Sequence, residues 1–223
     1  MRREFRRIAW VVAAVLVAGT SPGGGSVDAA LRQVSKATKG VRGIVAEIDY
    51  AEVAGKRSIN GSGKLYVSFD GMVRAEIGGD TPRTLIFVPP HLYIHRENER
   101  IVEIYDVTLN PHMLGQYLLL GFVPNGNAMK KSYRVELVKN STLDSRPVVS
   151  FLMTPKWDEA ARAISRIQLW VDPQSGLPAR HQIVHAAGGS RLEIRYLSMS
   201  RDDELPPSLF QPNWPAGTKT VQM

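Results

Sequence analysis

The stretch RSINGSGKLYVSFDGMVRAEI, residues 57–77, decides the fold. In it Leu65, Val67 and Phe69 fall on one face and Lys64, Tyr66 and Ser68 on the other. That is the period of a strand, not of a helix. Asp70-Gly71 follows as a strong hairpin signal, and Met72 to Ile77 reads as the returning strand. Gly61 and Gly63 loosen the first strand. Gly61-Ser62-Gly63 lacks the strand-to-helix turn of a nucleophile elbow, and glycine in a strand more often marks a bulge.

The same period extends outward in both directions. Before it, Ile44 to Val53 alternates with Glu47, Asp49 and Glu52, and Gly55-Lys56 makes the turn. After it come Arg83 to Val88, His91 to His95 and Arg100 to Tyr105, separated by Gly78-Gly79-Asp80, Pro89-Pro90 and Glu97-Asn98-Glu99. Ser132 to Lys139, Val148 to Thr154, Ser165 to Val171, Ala179 to Ala187 and Arg191 to Met199 complete the series. Short strands at near-regular intervals predict an antiparallel sandwich or barrel. Ten or eleven strands in one sheet should curl around a single face. Three segments break the period. Val27, Ala30, Leu31, Val34, Ala37 and Thr38 lie near helical spacing and predict one amphipathic helix, ended by Gly40 and Gly43. Trp157 to Ala163 fits a helical turn. Pro111 to Phe122 carries Met113, Leu114, Tyr117, Leu118 and Leu120, too apolar for a loop, and fits a short helix lying across the mouth of the curled sheet. The tail is proline-rich, with Pro206, Pro207, Pro212 and Pro215.

The first residues read as an export signal. Arg2, Arg3, Arg6 and Arg7 precede an apolar run from Ile8 to Ala18, shorter than the roughly 20 residues of a spanning helix. Small residues at Val17-Ala18-Gly19 and Val27-Asp28-Ala29 leave the cleavage site open between positions 19 and 29. The expected division is therefore a signal peptide at 1–26 and one domain at 27–223, with an uncleaved anchor as the alternative. The 223-residue chain has a formal charge of +7 and no cysteine. Without cysteine there is no lipidation site after the apolar run and no disulfide, so stability must come from burial and sheet hydrogen bonds. Four of the basic residues belong to the signal, and the rest are scattered. No Lys/Arg run tracks phosphates, which argues against nucleic acid as a partner.

Candidate chemistry is sparse. His91 and His95, like His181 and His185, are four apart, but on strands that spacing spans about 13 Å, too far for one ion. Glu47 and Asp49 share a strand face about 7 Å apart, as a solvated face would have them. No acid, base and nucleophile cluster, so the expectation is no enzyme, no metal and no cofactor. What remains is apolar surface. The candidate lining of a lipid-binding cavity is Leu65, Val67, Phe69, Val73, Ile86, Leu92 and Ile94, closed by Met113, Leu114, Tyr117 and Leu118. An ordinary packed core is the competing reading.

Several short motifs resemble one family. Gly63-Lys64-Leu65-Tyr66-Val67 is similar to a Gly-x-Leu-Trp-Val strand, and Thr84 to Tyr93 to an apolar strand, turn and Leu-Trp-x-Tyr. Leu152-Met153-Thr154-Pro155-Lys156 is similar to a Leu-x-Pro-Lys element. Leu209-Phe210 with Pro215-Ala216-Gly217-Thr218 is similar to a closing Phe-x-Phe-x-x-Pro-x-Gly. In order and spacing these resemble the periplasmic outer-membrane lipoprotein carriers of the LolA type. The resemblance implies a mainly β fold, a single curved antiparallel sheet forming an unclosed half-barrel with short helices over its open side. It also implies a monomeric periplasmic carrier in a Gram-negative-type envelope. Such a carrier takes lipoprotein acyl chains, or a related lipid, from an inner-membrane release complex to an outer-membrane acceptor through transient contacts at the membranes. The family's arginine that ties lid to barrel has Phe69 in its place, with Arg74 nearby. A sensor domain on the same scaffold, binding a protein or peptide, is the alternative.

Overall fold

The alternating stretch at residues 57–77 folds as strands β2 (Arg57–Ser68) and β3 (Val73–Ile77), paired antiparallel about a turn in which Gly71 takes a φ of 97°. The computed structural model describes residues 26–106, 126–138 and 141–223. Residues 1–25 of the expected signal lie outside these, as does all of Pro111 to Phe122, with Met113, Leu114, Tyr117 and Leu118. No helix among the described residues is long and apolar enough to cross a membrane.

The other strands are β1 (Gly43–Ala54), β4 (Arg83–Val88), β5 (His91–Arg96), β6 (Ile101–Asp106), β7 (Tyr133–Val138), β8 (Thr142–Leu143), β9 (Arg146–Pro147), β10 (Val149–Pro155), β11 (Ile164–Val171), β12 (Pro178–His185), β13 (Arg191–Arg201) and β14 (Lys219–Gln222). Twelve of them form one sheet in the order β14-β6-β5-β4-β3-β2-β1-β13-β12-β11-β10-β7. β14 lies parallel to β6, and every other pairing is antiparallel. The end strands β14 and β7 do not pair, so the sheet curves without closing. The eleven strands expected from alternation are all present. β14 and the small β8–β9 hairpin are additions.

A sheet this wide must curl or split, and the glycines of β2 permit a sharp curl. A Cβ at Gly61 would overlap the carbonyl oxygen of Gly78, and one at Gly63 that of Glu76. Only hydrogen fits where β3 folds across the hollow side of β2. The sheet also shifts register in the β1–β13 pairing between Glu47 and Ile48, a device that adds local twist.

The hollow side is filled unevenly. Helix α1 (Val27–Ala37) starts at Ser26, whose Oγ accepts from the Ala29 N–H at 3.3 Å. Its Ala30, Leu31 and Val34 pack onto Tyr133, Phe151, Met153, Ile167, Leu169 and Ile183. Each large side chain buried there contributes about 1.5–3 kcal/mol. The short helix α2 (Gly126–Ser132) adds Met129 to the same cluster, and Lys130 Nζ meets Asp28 Oδ1 at 2.5 Å. A third helix, α3 (Asp158–Ala163), bridges β10 and β11. Thus helices cover the half of the hollow made by β7 and β10–β12. The half made by β1–β4 has its own cluster of Ile44, Ala46, Ile48, Leu65, Val67 and Phe87, to which no described helix contributes.

The proline-rich tail crosses the outer face instead. Its 3-10 turn, Pro207–Phe210, packs on β3 and β4, and Arg74 Nη1 donates to the Leu209 carbonyl at 3.1 Å. Further along, the Trp214 ring meets His95 at 4.9 Å.

Candidate functional site

A cavity of about 280 Å³ opens where the two halves of the hollow meet. Its walls come from β1–β5 on one side and β12–β13 on the other. Opposed residues of paired strands share a face, so register orders the lining in rows. Val73, Phe87 and Leu92 form one row, and Leu65, Ala75, Leu85 and Ile94 the next. Ile77 and Arg83 form a third. Along β1 the lining runs Ile48, Tyr50, Glu52, and the opposite wall adds His181, Ile183, His185, Leu192 and Ile194. The first two rows are wholly apolar, and polar groups gather toward the far end.

The sequence-predicted residues divide. Leu65, Val73, Leu92 and Ile94 line the cavity. Val67 lies fully buried beneath it, and Phe69 packs against the same cluster from the strand's end. Ile86 is a correction: it faces the opposite way. Its neighbours Leu85 and Phe87 point into the cavity, so the strand period turns Ile86 to the outer face, where the 3-10 turn covers β4. Complete burial there reflects that cover. Met113, Leu114, Tyr117 and Leu118 lie outside the described residues. Glu47 and Asp49 are exposed on the outer face.

Sequence reasoning missed the β12–β13 wall and the polar end. Alternation in Ile183, Leu192 and Ile194 signalled a buried face but not which strand it would oppose. The histidine spacing says nothing of the wall in which His181 sits. His181 is a buried wall residue, 4% exposed, with Nδ1 at 2.9 Å from the Tyr196 hydroxyl. Burial pushes its imidazole down to about 4, so the ring is neutral at ordinary pH. Burial also raises the Tyr196 phenol.

At the polar end the Tyr50 hydroxyl donates to Glu52 Oε2 at 2.9 Å. Arg83 Nη2 donates to the Tyr50 hydroxyl and lies 3.5 Å from Glu52 Oε2. The guanidinium carbon sits over the Tyr50 ring at 4.7 Å. Arg83 Nε is buried and finds no acceptor among the described residues. A second polar cluster lies on the neighbouring strands β5 and β6. Arg96 Nε donates to Glu103 Oε1 at 2.8 Å and the Tyr105 hydroxyl to Glu103 Oε2 at 3.0 Å. The Arg96 hydrogen bond holds the Glu103 carboxyl below its ordinary value. No cluster of potential metal ligands occurs among the described residues.

No protein-family model matches the sequence, and no curated protein matches it. Solved structures do. An uncharacterised conserved protein from Thermus thermophilus is similar over 89% of this chain and 100% of its own, at 9% identity and a TM-score of 0.56. MucB is similar over 85% of this chain and 64% of its own, at 16% identity and a TM-score of 0.47. A LolA superfamily protein from Nitrosomonas europaea is similar over 84% of this chain and 98% of its own, at 11% identity and a TM-score of 0.44. The likeness is one of fold. The chain is mainly β, a single curved and unclosed sheet with short helices on its hollow side, which is the architecture its sequence resemblance to the LolA-type carriers implied.

Proposed function

We propose that this chain is a periplasmic carrier that holds the acyl chain of a lipoprotein or related lipid in the cavity between β1–β5 and β12–β13. It would shuttle that cargo from inner to outer membrane without covalent chemistry. The observation that carries this reading is the cavity. Protein interiors are close-packed and leave few voids larger than a water molecule, yet about 280 Å³ lies here against two rows of aliphatic and aromatic side chains. That is close to the lower end of the roughly 300–1,000 Å³ found for small-molecule sites. Each methylene buried in it is worth about 0.8 kcal/mol, so a single acyl chain supplies ample gross affinity. The problem for a carrier is then release. A sheet that never closes suits release, because opening the hollow breaks no strand pairing.

The reading includes a monomer and transient handover partners at the two membranes. Native mass spectrometry of the protein isolated from the periplasm tests it. The expected result is a monomer with bound lipid. Protein that carries no lipid and fails to bind a neutral hydrophobic dye would overturn it. A stable protein partner found in place of lipid would favour the sensor reading.

A further inference from the structure

We infer that the cavity selects single-chain amphiphiles with an anionic head, a carboxylate or phosphate, and that Arg83 is the residue that reads the head. The inference rests on the lipid-binding reading and adds to it the class of ligand. The cavity is itself amphipathic. At one end the rows Val73–Phe87–Leu92 and Leu65–Ala75–Leu85–Ile94 offer only hydrocarbon. At the other stand Arg83, Tyr50 and Glu52, with His185 also lining that wall. An acyl chain laid along the rows places its head group at Arg83.

The donors of Arg83 are under-used. Among the described residues Nη2 donates to the Tyr50 hydroxyl and lies 3.5 Å from Glu52 Oε2 as an ion pair. Nε is buried with no acceptor. A guanidinium in an apolar wall with a donor unpaired is costly, and its fork geometry matches a carboxylate or phosphate with two parallel hydrogen bonds. The Tyr50 ring under the guanidinium keeps it in the wall. Glu52 is the internal competitor. Its distance of 3.5 Å makes the weaker partnership, since its shorter bond, 2.9 Å, is to Tyr50. An arriving anion would take Arg83 and leave Glu52 with the tyrosine.

Displacement of Nile red from the full chain by palmitate, hexadecyl phosphate and hexadecanol tests this. All three are sixteen-carbon single chains, differing by at most one methylene in their hydrocarbon, worth about 0.8 kcal/mol. The expected result is that palmitate and hexadecyl phosphate bind about ten- to a hundredfold more tightly than hexadecanol, as a charged hydrogen bond implies. A preference for one anion over the other separates a carboxylate cargo from a phosphate one. Arg83→Met should still bind Nile red and hexadecanol but lose the preference, and Glu52→Gln should sharpen it. Equal binding of the three by the natural chain, or an unchanged preference in Arg83→Met, would overturn the assignment while leaving a lipid cavity. If Arg83→Met does not fold, Glu52→Gln decides: an unchanged preference counts against Arg83. Failure of Nile red and of all three ligands to bind the natural chain would remove the lipid reading itself.

Discussion

At the scale of single residues, His181 makes the sharpest prediction. It is buried in the cavity wall, its Nδ1 is paired with the Tyr196 hydroxyl, and burial lowers its imidazole from 6.5 to about 4. Between those values the unfolded chain binds a proton that the folded chain refuses. Stability should therefore be complete above pH 6.5 and fall as pH drops toward 4, by about 3 kcal/mol in total. Urea unfolding at intervals between pH 7.5 and 4 measures the slope, and His181→Gln should flatten it. An unchanged slope in that variant would place the titration elsewhere. The residue also marks where reading from sequence stopped. Strand spacing argues against His181 and His185 as joint ligands of one ion. It gave no means of seeing that β13 would bring Tyr196 alongside, because that contact is created by pairing between strands.

Among the elements, the C-terminal strand β14 has the clearest role. All four of its residues are exposed, and it lies parallel on β6, with Lys219 N donating to the Arg100 carbonyl at 2.8 Å and Met223 N to that of Ile104 at 3.0 Å. Its side chains bury little. Its backbone occupies an edge that would otherwise be open to another chain. Removing residues 219–223 should cost only about 1–2 kcal/mol in urea unfolding but should drive self-association, measured by light scattering against the full chain. The long strands were legible because each is rich in strand formers over many residues, and the inward face was legible where apolar alternates with polar, as Leu65 does against Tyr66; at Leu85 and Ile86, both apolar, it was not. β14 was not, because four exposed residues after a run of prolines carry no apolar face. The α1 helix was legible for the same reason as the strands, since Ala30, Leu31 and Val34 mark one side. Gly126–Ser132 was not, because a helix of 7 residues contributing only Met129 to the core leaves no period to read.

For the whole molecule the decisive fact is that one half of the hollow is packed by helices and the cavity lies at the border with the other. Its near wall could be read in part, from Leu65, Val73, Leu92 and Ile94. Its far wall could not, since Ile183 and Ile194 lie far along the chain and reach the cavity only through the β1–β13 pairing. Filling the cavity tests its purpose. Ala75 lines it and is 9% exposed, so Ala75→Phe should lower Nile red binding at least about tenfold with no fall in Tm. A large fall in Tm with binding retained would mean that the ring does not enter the cavity. In the natural chain a ligand at a hundred times its Kd should add about 2.7 kcal/mol, or roughly 5–10 °C in Tm for a domain of this size. The sheet order carries one more consequence. β1 to β6 pair in sequence as a run of hairpins, and so do β7 and β10 to β13, but the seam joins Ile44 of the first long strand to Arg201 of the last. During synthesis and refolding, β1 waits with one edge unpaired until almost the whole chain has emerged. Closing so long a loop is slow, and the cavity has no second wall before then. The cavity is therefore the last feature of the fold to form, complete only once β13 has paired with β1.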